Sequence, residues 1–301
     1  MNSKNRNRYI AISSMILLLF ILWGCASQKA FWGSADSGFI LNYRMEKGDI
    51  LQYTISGNVN QSMEMMGQSI DTKTDFLSKY SIKINDINQQ KNFLTTITID
   101  DMSIKVNSQQ GVINPDLSSI IGKKFGLTAS PKGKELEYSG VDSITINMGQ
   151  MAGGKQSVKN YFRDVFTDLP KKPVKIGDTW TSKDERTEPQ GGMQVHMVMD
   201  AKHKLLGYEE IDGMACLKIE TKGKGTLDGS GERNGAQLSF EGDLETKSTW
   251  FFAYKKGLLV KANSDSFMEA TIAVSGPTDM TIPMTQETKS GLKLISPPPK
   301  K

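Results

Sequence analysis

The sequence predicts a mostly β protein: a long-stranded, strongly curved antiparallel sheet, half-barrel or barrel-like in form, with one or two short helices. Three observations predict it. Apolar and polar residues alternate with period two over runs of roughly sixteen residues, turn residues separate the runs, and helical spacing is confined to two short segments. Strands that long are more than twice the usual five or six residues, so the sheet must coil. Its apolar face is also larger than two short helices can cover.

The first strand sets Leu51, Tyr53, Ile55, Val59, Met63 and Met65 on one face, against Gln52, Thr54, Ser56, Asn58, Asn60, Ser62 and Glu64. A tight turn at Gly67-Gln68 leads to a partner in which Ile70, Phe76, Tyr80, Ile82 and Ile84 oppose Asp71, Lys73, Asp75, Lys79 and Lys83. This is a long β-hairpin. The third strand, from about Phe93 to Val106, changes parity between Phe93, Ile97, Ile99 and Met102, Ile104, Val106; a bulge near Asp100-Asp101 accounts for the flip and bends the sheet. Pro115 to Gly122 reads as one short helix. Ser157 to Phe166 reads as another, with Val158, Tyr161, Phe162, Val165 and Phe166 at helical spacing and Pro170 and Pro173 ending it.

Lys175-Ile176-Gly177-Asp178-Thr179-Trp180 opens the second half and echoes Lys47-Gly48-Asp49, which suggests a weak two-part repeat. Met193 to Leu205 and Ala215 to Leu227 supply two strands joined through Gly207 to Gly213, and the glycines from Gly223 to Gly235 read as a mobile hairpin tip. Ala236, Leu238, Phe240, Leu244, Trp250, Phe252 and Tyr254 then share one parity. After a Lys255-Lys256-Gly257 turn, Leu258, Val260, Ala262, Met268, Ala270, Ile272 and Val274 do the same, and Gly276-Pro277 turns into a last strand with Met280, Ile282 and Met284. The total is about eight or nine strands in an antiparallel meander. The divisions are a leader at 1–24, a tether at 25–37, a first β-rich half at 38–170, a second at 171–295 and a disordered tail at 296–301.

Composition narrows the function classes. The chain has 301 residues and a formal net charge of +4, yet Lys4, Arg6 and Arg8 account for three of its 37 bases, and the remaining 34 face 33 acids. A near-neutral body gives no electrostatic reason to expect a nucleic-acid partner. Two cysteines and two histidines leave little material for metal clusters, disulfide frameworks or histidine-based catalysis.

At the N-terminus the three bases precede an apolar run from Ile10 to Leu22, thirteen residues that are too few to span a bilayer, and then Leu22-Trp23-Gly24-Cys25. This resembles the lipobox of bacterial lipoproteins, and the resemblance implies export, cleavage before Cys25 and acylation of Cys25. Ala26 and Ser27, in place of an acid, resemble the sorting signal for the outer membrane. Gly207-Tyr208, Ile211-x-Gly213, Trp250-Phe251-Phe252 and Lys256-Gly257-Leu258-Leu259-Val260-Lys261 resemble half-barrel carriers of the lipoprotein-localisation type. The lipobox, two β-rich halves and the intervening Lys172-Pro173-Val174-Lys175-Ile176-Gly177-Asp178-Thr179-Trp180 resemble a bacterial lipoprotein family of unknown function, which implies no activity.

Chemistry is sparse. Met63, Met65 and Met66, and Met193, Met197 and Met199 around His196, invite a Cu(I) reading, but on a strand His196 faces away from its methionines, which favours adaptable apolar filling. Cys216 has no partner once Cys25 is acylated and reads as a buried structural cysteine in place of a nucleophile, while its parity with Met214, Lys218 and Glu220 leaves partial exposure open. The acid pairs Asp100-Asp101, Asp184-Glu185 and Glu209-Glu210 face opposite ways on strands, so none is a catalytic pair. The expectation is therefore a non-enzymatic protein, without cofactor or metal, tethered through Cys25. A lipid or acyl chain would lie against Tyr53, Ile55, Phe76, Tyr80, Leu238, Phe240, Trp250 and Phe252. The alternative is an interaction lipoprotein with a closed dry core that contacts another envelope protein.

Overall fold

The computed structural model describes residues 31–109, 111–147, 155–190, 193–233, 235–276 and 279–296; residues 1–30, with the expected leader, Cys25 and most of the expected tether, and those beyond 296 lie outside them. Strands β1 (Gly33–Ser34) and β2 (Gly38–Phe39) pair as a small ribbon. Then come β3 (Ile50–Met65), β4 (Gln68–Ile87), β5 (Phe93–Ser108), β6 (Gly111–Ile113), β7 (Lys124–Ala129) and β8 (Glu135–Ser139). A second ribbon, β9 (Thr145–Asn147) and β10 (Lys155–Ser157), precedes a 3-10 turn at Val158–Tyr161. The second half contains β11 (Thr179–Gln190), β12 (Met193–Ile211), β13 (Met214–Arg233), β14 (Ala236–Ala253), β15 (Leu258–Ser275) and β16 (Met280–Ser296).

Twelve of these strands form one antiparallel sheet, ordered β11-β12-β13-β14-β15-β16-β3-β4-β5-β7-β8 with β6 beside β5. The sheet is curved and not closed. It exceeds the eight or nine strands of the sequence reading because β6, β7, β8 and β11 are too short or too polar to alternate visibly. It also departs from a simple meander, since the last strand lies against the first long one, Leu292 opposite Ile55 and Met284 opposite Met63. That pairing joins the two halves into one sheet.

Local rules explain the long strands. Met66 and Gly67 take φ of 54° and 75° between the paired Met65 and Gln68, so the β3–β4 turn centres one residue earlier than expected, on the two left-handed positions a tight hairpin needs. The parity flip in β5 is a bulge, since Lys79 faces Asp101 while Tyr80 faces Ile99, leaving Asp100 extra. The Gly-Asp echo is one turn built twice. Gly48 N–H donates to the Ile84 carbonyl at 2.8 Å and Gly177 N–H to the Leu205 carbonyl at 2.8 Å. Asp49 and Asp178 carboxylates each accept a backbone N–H three residues back, from Glu46 and Lys175. The two glycines have φ of 92° and 94°, and a register shift follows each partner, at Ile84/Asp86 and Leu205/Gly207.

Three local expectations fail. Pro115 to Gly122 is extended chain and turn, and Ser157 to Phe166 shortens to the single turn Val158–Tyr161, capped by Ser157 Oγ accepting from Lys159 N–H. The aromatic spacing there serves core contact without helix. The glycines of 223–231 are regular β13, not a hairpin tip. A Cβ on Gly225 would lie 2.7 Å from the Val198 carbonyl, and one on Gly229 3.1 Å from Val195 Cγ2, so glycine lets β12 side chains lie across β13. Cys216 is fully buried, because the base of the sheet is covered on both faces: Trp250 to Ala253 and Leu258 to Val260 are consecutive buried residues. Burial also pushes its thiol up to about 11.

Candidate ligand-binding face

Cross-strand register divides the sheet into a charged face and an inner face. The charged face carries rows such as Lys202, Lys222, Lys247, Asp265 and Lys289, all exposed. The inner face changes character along the strands, in three bands.

The base band is a closed core. Leu205, Ile219, Trp250, Ala262, Leu292 and Ile55 lie in one row across six strands. Below it Tyr53 and Tyr80 stack at 5.7 Å, Phe162 meets Tyr80 edge-on at 5.4 Å, and Tyr43 meets Phe252 edge-on at 5.3 Å. The cover comes from 39–45 and 162–174. Tyr43 N–H donates to the Pro131 carbonyl, Arg44 N–H to that of Gly257, and Phe39 pairs with Val174. Glu135 fastens this cover to β8. Its carboxylate accepts backbone N–H groups of Asp164 and Phe166, each at 3.3 Å, and Tyr138 Oη lies 2.5 Å away. Burial raises Glu135 to about 7. When protonated it donates to Tyr138, leaving that hydroxyl to donate to the Phe162 carbonyl at 2.9 Å.

The middle band is a belt of hydroxyls and small residues. One row runs Trp180, His203, Thr221, Ser248, Ser264, Ser290 and Gly57; the next runs Ser182, Ala201, Gly223, Thr246, Ser266 and Thr288. At its β11 end sits a buried network absent from the sequence reading. Trp250 Nε1 donates to Thr221 Oγ1 at 2.9 Å, Thr221 Oγ1 lies 2.7 Å from His203 Nδ1, and His203 Nε2 lies 2.9 Å from Ser182 Oγ. Trp180 stacks on the imidazole at 5.1 Å. Burial depresses His203 to about 4, so it is a neutral clamp at ordinary pH. The signal available beforehand was the strand parity pairing Trp180 with His203.

The distal band is apolar again and rich in methionine. Successive rows are Met199, Gly225, Leu244 and Met268; Met197, Leu227, Gly242, Ala270, Met284 and Met63; then Val195, Gly229, Phe240, Ile272 and Ile282. Val195, Phe240, Ala270 and Met284 are buried, while Met63, Met193, Leu227, Met268 and Ile272 around them are half-buried. Charge bounds one side, where Arg163 pairs with Glu188 and Arg186 with Asp184. His196 lies on the charged face, 3.1 Å from Thr187, away from these methionines. Among the described residues no three His, Cys, Asp or Glu side chains gather as metal ligands.

The residues expected to line one ligand surface are thus divided. Tyr53, Tyr80, Trp250 and Phe252 are buried in the base core, with Ile55 and Phe76 packed against it. Phe240 belongs to the distal cluster, and Leu238 lies two residues further out, opposite Val274. Trp250 and Phe240 share a face but are ten residues apart, roughly 33 Å at a strand's rise. Two grooves, of about 1030 and 480 Å³, open mainly along the charged face and share the exposed Phe267 and Glu287.

No family model matches this sequence, and no curated protein matches it. Solved structures do. The chain is similar to an outer membrane channel of Pseudomonas putida F1, with 10% identity over 84% of this chain and 98% of that one and a TM-score of 0.25. It is also similar to OccK2 of Pseudomonas aeruginosa, with 6% identity over 82% and 98% and a TM-score of 0.24. A DUF1329 family protein from Desulfovibrio piger aligns with 10% identity over 81% and 86% and a TM-score of 0.15, and likeness at these levels assigns no function to this chain.

Proposed function

We propose that this is an exported protein of the bacterial envelope, anchored by lipid on Cys25 at the outer membrane, that binds an acyl chain or similar apolar ligand and catalyses no reaction. The site is the distal band. The observation that carries the reading is its unfinished burial: methionine, leucine, valine and isoleucine from six adjacent strands form a continuous apolar surface, half-buried around the buried Val195, Phe240, Ala270 and Met284, and separated by a hydroxyl belt from the base core. Flexible thioethers suit a ligand whose chain length and shape vary. Gly225, Gly229 and Gly242 let Met199, Val195 and Ala270 lie close across the neighbouring strands and form the floor of the band.

Native mass spectrometry with organic extraction tests this on protein secreted with Cys25→Ser and purified from its own envelope fraction. The expected result is lipid bound near one per chain, lost in Met268→Lys without loss of the fold. Ligand-free, fully stable protein would contradict the reading. A second reading, contact with another envelope protein, is favoured by one observation. β11 is a twelve-residue outer strand, paired on one side only among the described strands. Such an edge accepts an added strand.

A further inference from the structure

We infer that the base rim of the sheet is a membrane-seating surface, with Phe31, Ile40 and Tyr208 meeting the acyl-headgroup boundary of a lipid bilayer and Arg44, Lys255 and Lys256 its phosphates. Large exposed apolar residues are unevenly placed. Phe31 is 64% exposed, Tyr208 50% and Ile40 36%, and exposed Ile176, Leu206 and Ile295 lie at this same end of the strands. The far end presents Met65, Met66 and Val112.

The rim is one physical unit. Ile40 N–H donates to the Trp32 carbonyl at 3.0 Å, Phe31 packs edge-on to Trp32 at 4.7 Å, and the Arg44 guanidinium lies over the Phe31 ring at 4.5 Å. Arg44 Nη1 donates to the Tyr254 carbonyl at 2.6 Å, and Tyr254 and Tyr208 rings are 6.4 Å apart. Lys255 Nζ lies 5.9 Å from the Tyr254 ring centre. Two of the nearby acids are compensated, Glu209 by Lys218 at 3.1 Å and Asp212 by Lys293 at 3.2 Å, while Asp36 lies toward Tyr208 and Glu210 is exposed. Amphipathic aromatics beside Lys and Arg are the side chains that settle at a membrane interface.

What selects a bilayer over another occupant is the chain itself. Phe31 lies inside this patch and only five residues, six Cα–Cα steps, separate it from Cys25. Even fully extended, they reach about 20 Å. This step rests on the anchored reading above. If Cys25 carries the lipid, the patch cannot stand far from the membrane, and burying its exposed rings there is favourable. The distal band then points away from the anchoring bilayer, so its ligand is exchanged with something other than that bilayer.

Tryptophan quenching tests this in the full chain reconstituted in vesicles of phosphatidylethanolamine and phosphatidylglycerol, with and without brominated acyl chains. The part of the emission lost in Trp32→Phe should fall about twofold or more in the brominated vesicles, as expected for an indole at interface depth. Phe31→Asp with Ile40→Asp, both exposed, should abolish that quenching. Trp32 emission equal in the two vesicle types overturns the inference, as it would if the chain's own residues cover the patch. Flotation of the same samples, native and Cys25→Ser, reads the anchor separately. Native chain that floats without Trp32 quenching leaves the anchor standing and removes the seating surface.

Discussion

At the base, Phe252 is sealed against Tyr43, and Trp250 against Trp180 and the His203 network; ten residues from Trp250 along the same strand and on the same face, Phe240 lies among Met63, Met193 and Met268, which stay half-buried. Parity is identical in the two places, and so is the apolar character of the strand. What differs is the neighbour. The base meets a second layer held down by backbone bonds to Pro131 and Gly257, whereas that layer reaches the distal band at its β11 side, through Arg163 on Glu188 and Asp164 beside Arg186. An alternating strand therefore says which face is apolar, and the cover decides whether that face is a core or a surface for binding.

The largest expected contrast comes from truncation. Phe252→Ala removes a ring with no exposure and should cost about 3–5 kcal/mol in chemical denaturation, whereas Leu244→Ala in the half-buried band should cost about 1 kcal/mol. Equal costs would break the comparison. Next is acid sensitivity, which belongs to the base and the belt. His203 sits near 4 in the fold against 6.5 when unfolded, so the unfolded chain binds the extra proton first. Its contribution is complete above 6.5 and is lost as pH falls toward 4, on the order of 3 kcal/mol, and His203→Phe should flatten that limb of the stability profile.

Glu135 runs the other way. Raised to about 7 from 4.5, its contribution is complete below 4.5 and lost as pH rises through 7, and Glu135→Gln should remove that slope. Gly57→Ala gives a smaller effect of about 1–3 kcal/mol by urea denaturation, since the new Cβ would lie 2.2 Å from the Lys289 carbonyl and 2.8 Å from Phe76 Cζ. Smallest is Met268→Leu, which keeps apolar volume and should change stability by less than about 1 kcal/mol while narrowing the range of chain lengths bound.

Much of the architecture was legible in residue patterns because long half-buried strands write their period directly. The bulge at Asp100 showed as a parity flip, and the turn at Gly48-Asp49 showed as an echo at Gly177-Asp178. Pairing between distant strands left no such trace: nothing in β16 or β3 alone says that Leu292 meets Ile55. The split of the candidate lining was hidden for the same reason. Tyr53 and Phe240 have the right parity, but height above the base depends on register across several strands and on where residues 39–45 come to rest. The consecutive buried residues Trp250 to Ala253 were the available clue that one end of the sheet is covered on both sides.

A photoreactive fatty acid with its diazirine near the methyl end, bound and crosslinked to the protein, tests the central claim most directly. Mapping the adducts by peptide mass spectrometry should place them on the distal stretches of β12, β14, β15 and β16, around Met199, Leu244, Met268 and Met284. Adducts on peptides carrying Tyr53, Trp250 or Phe252, or no adduct at all, would contradict the division between a filled base and a ligand-binding band.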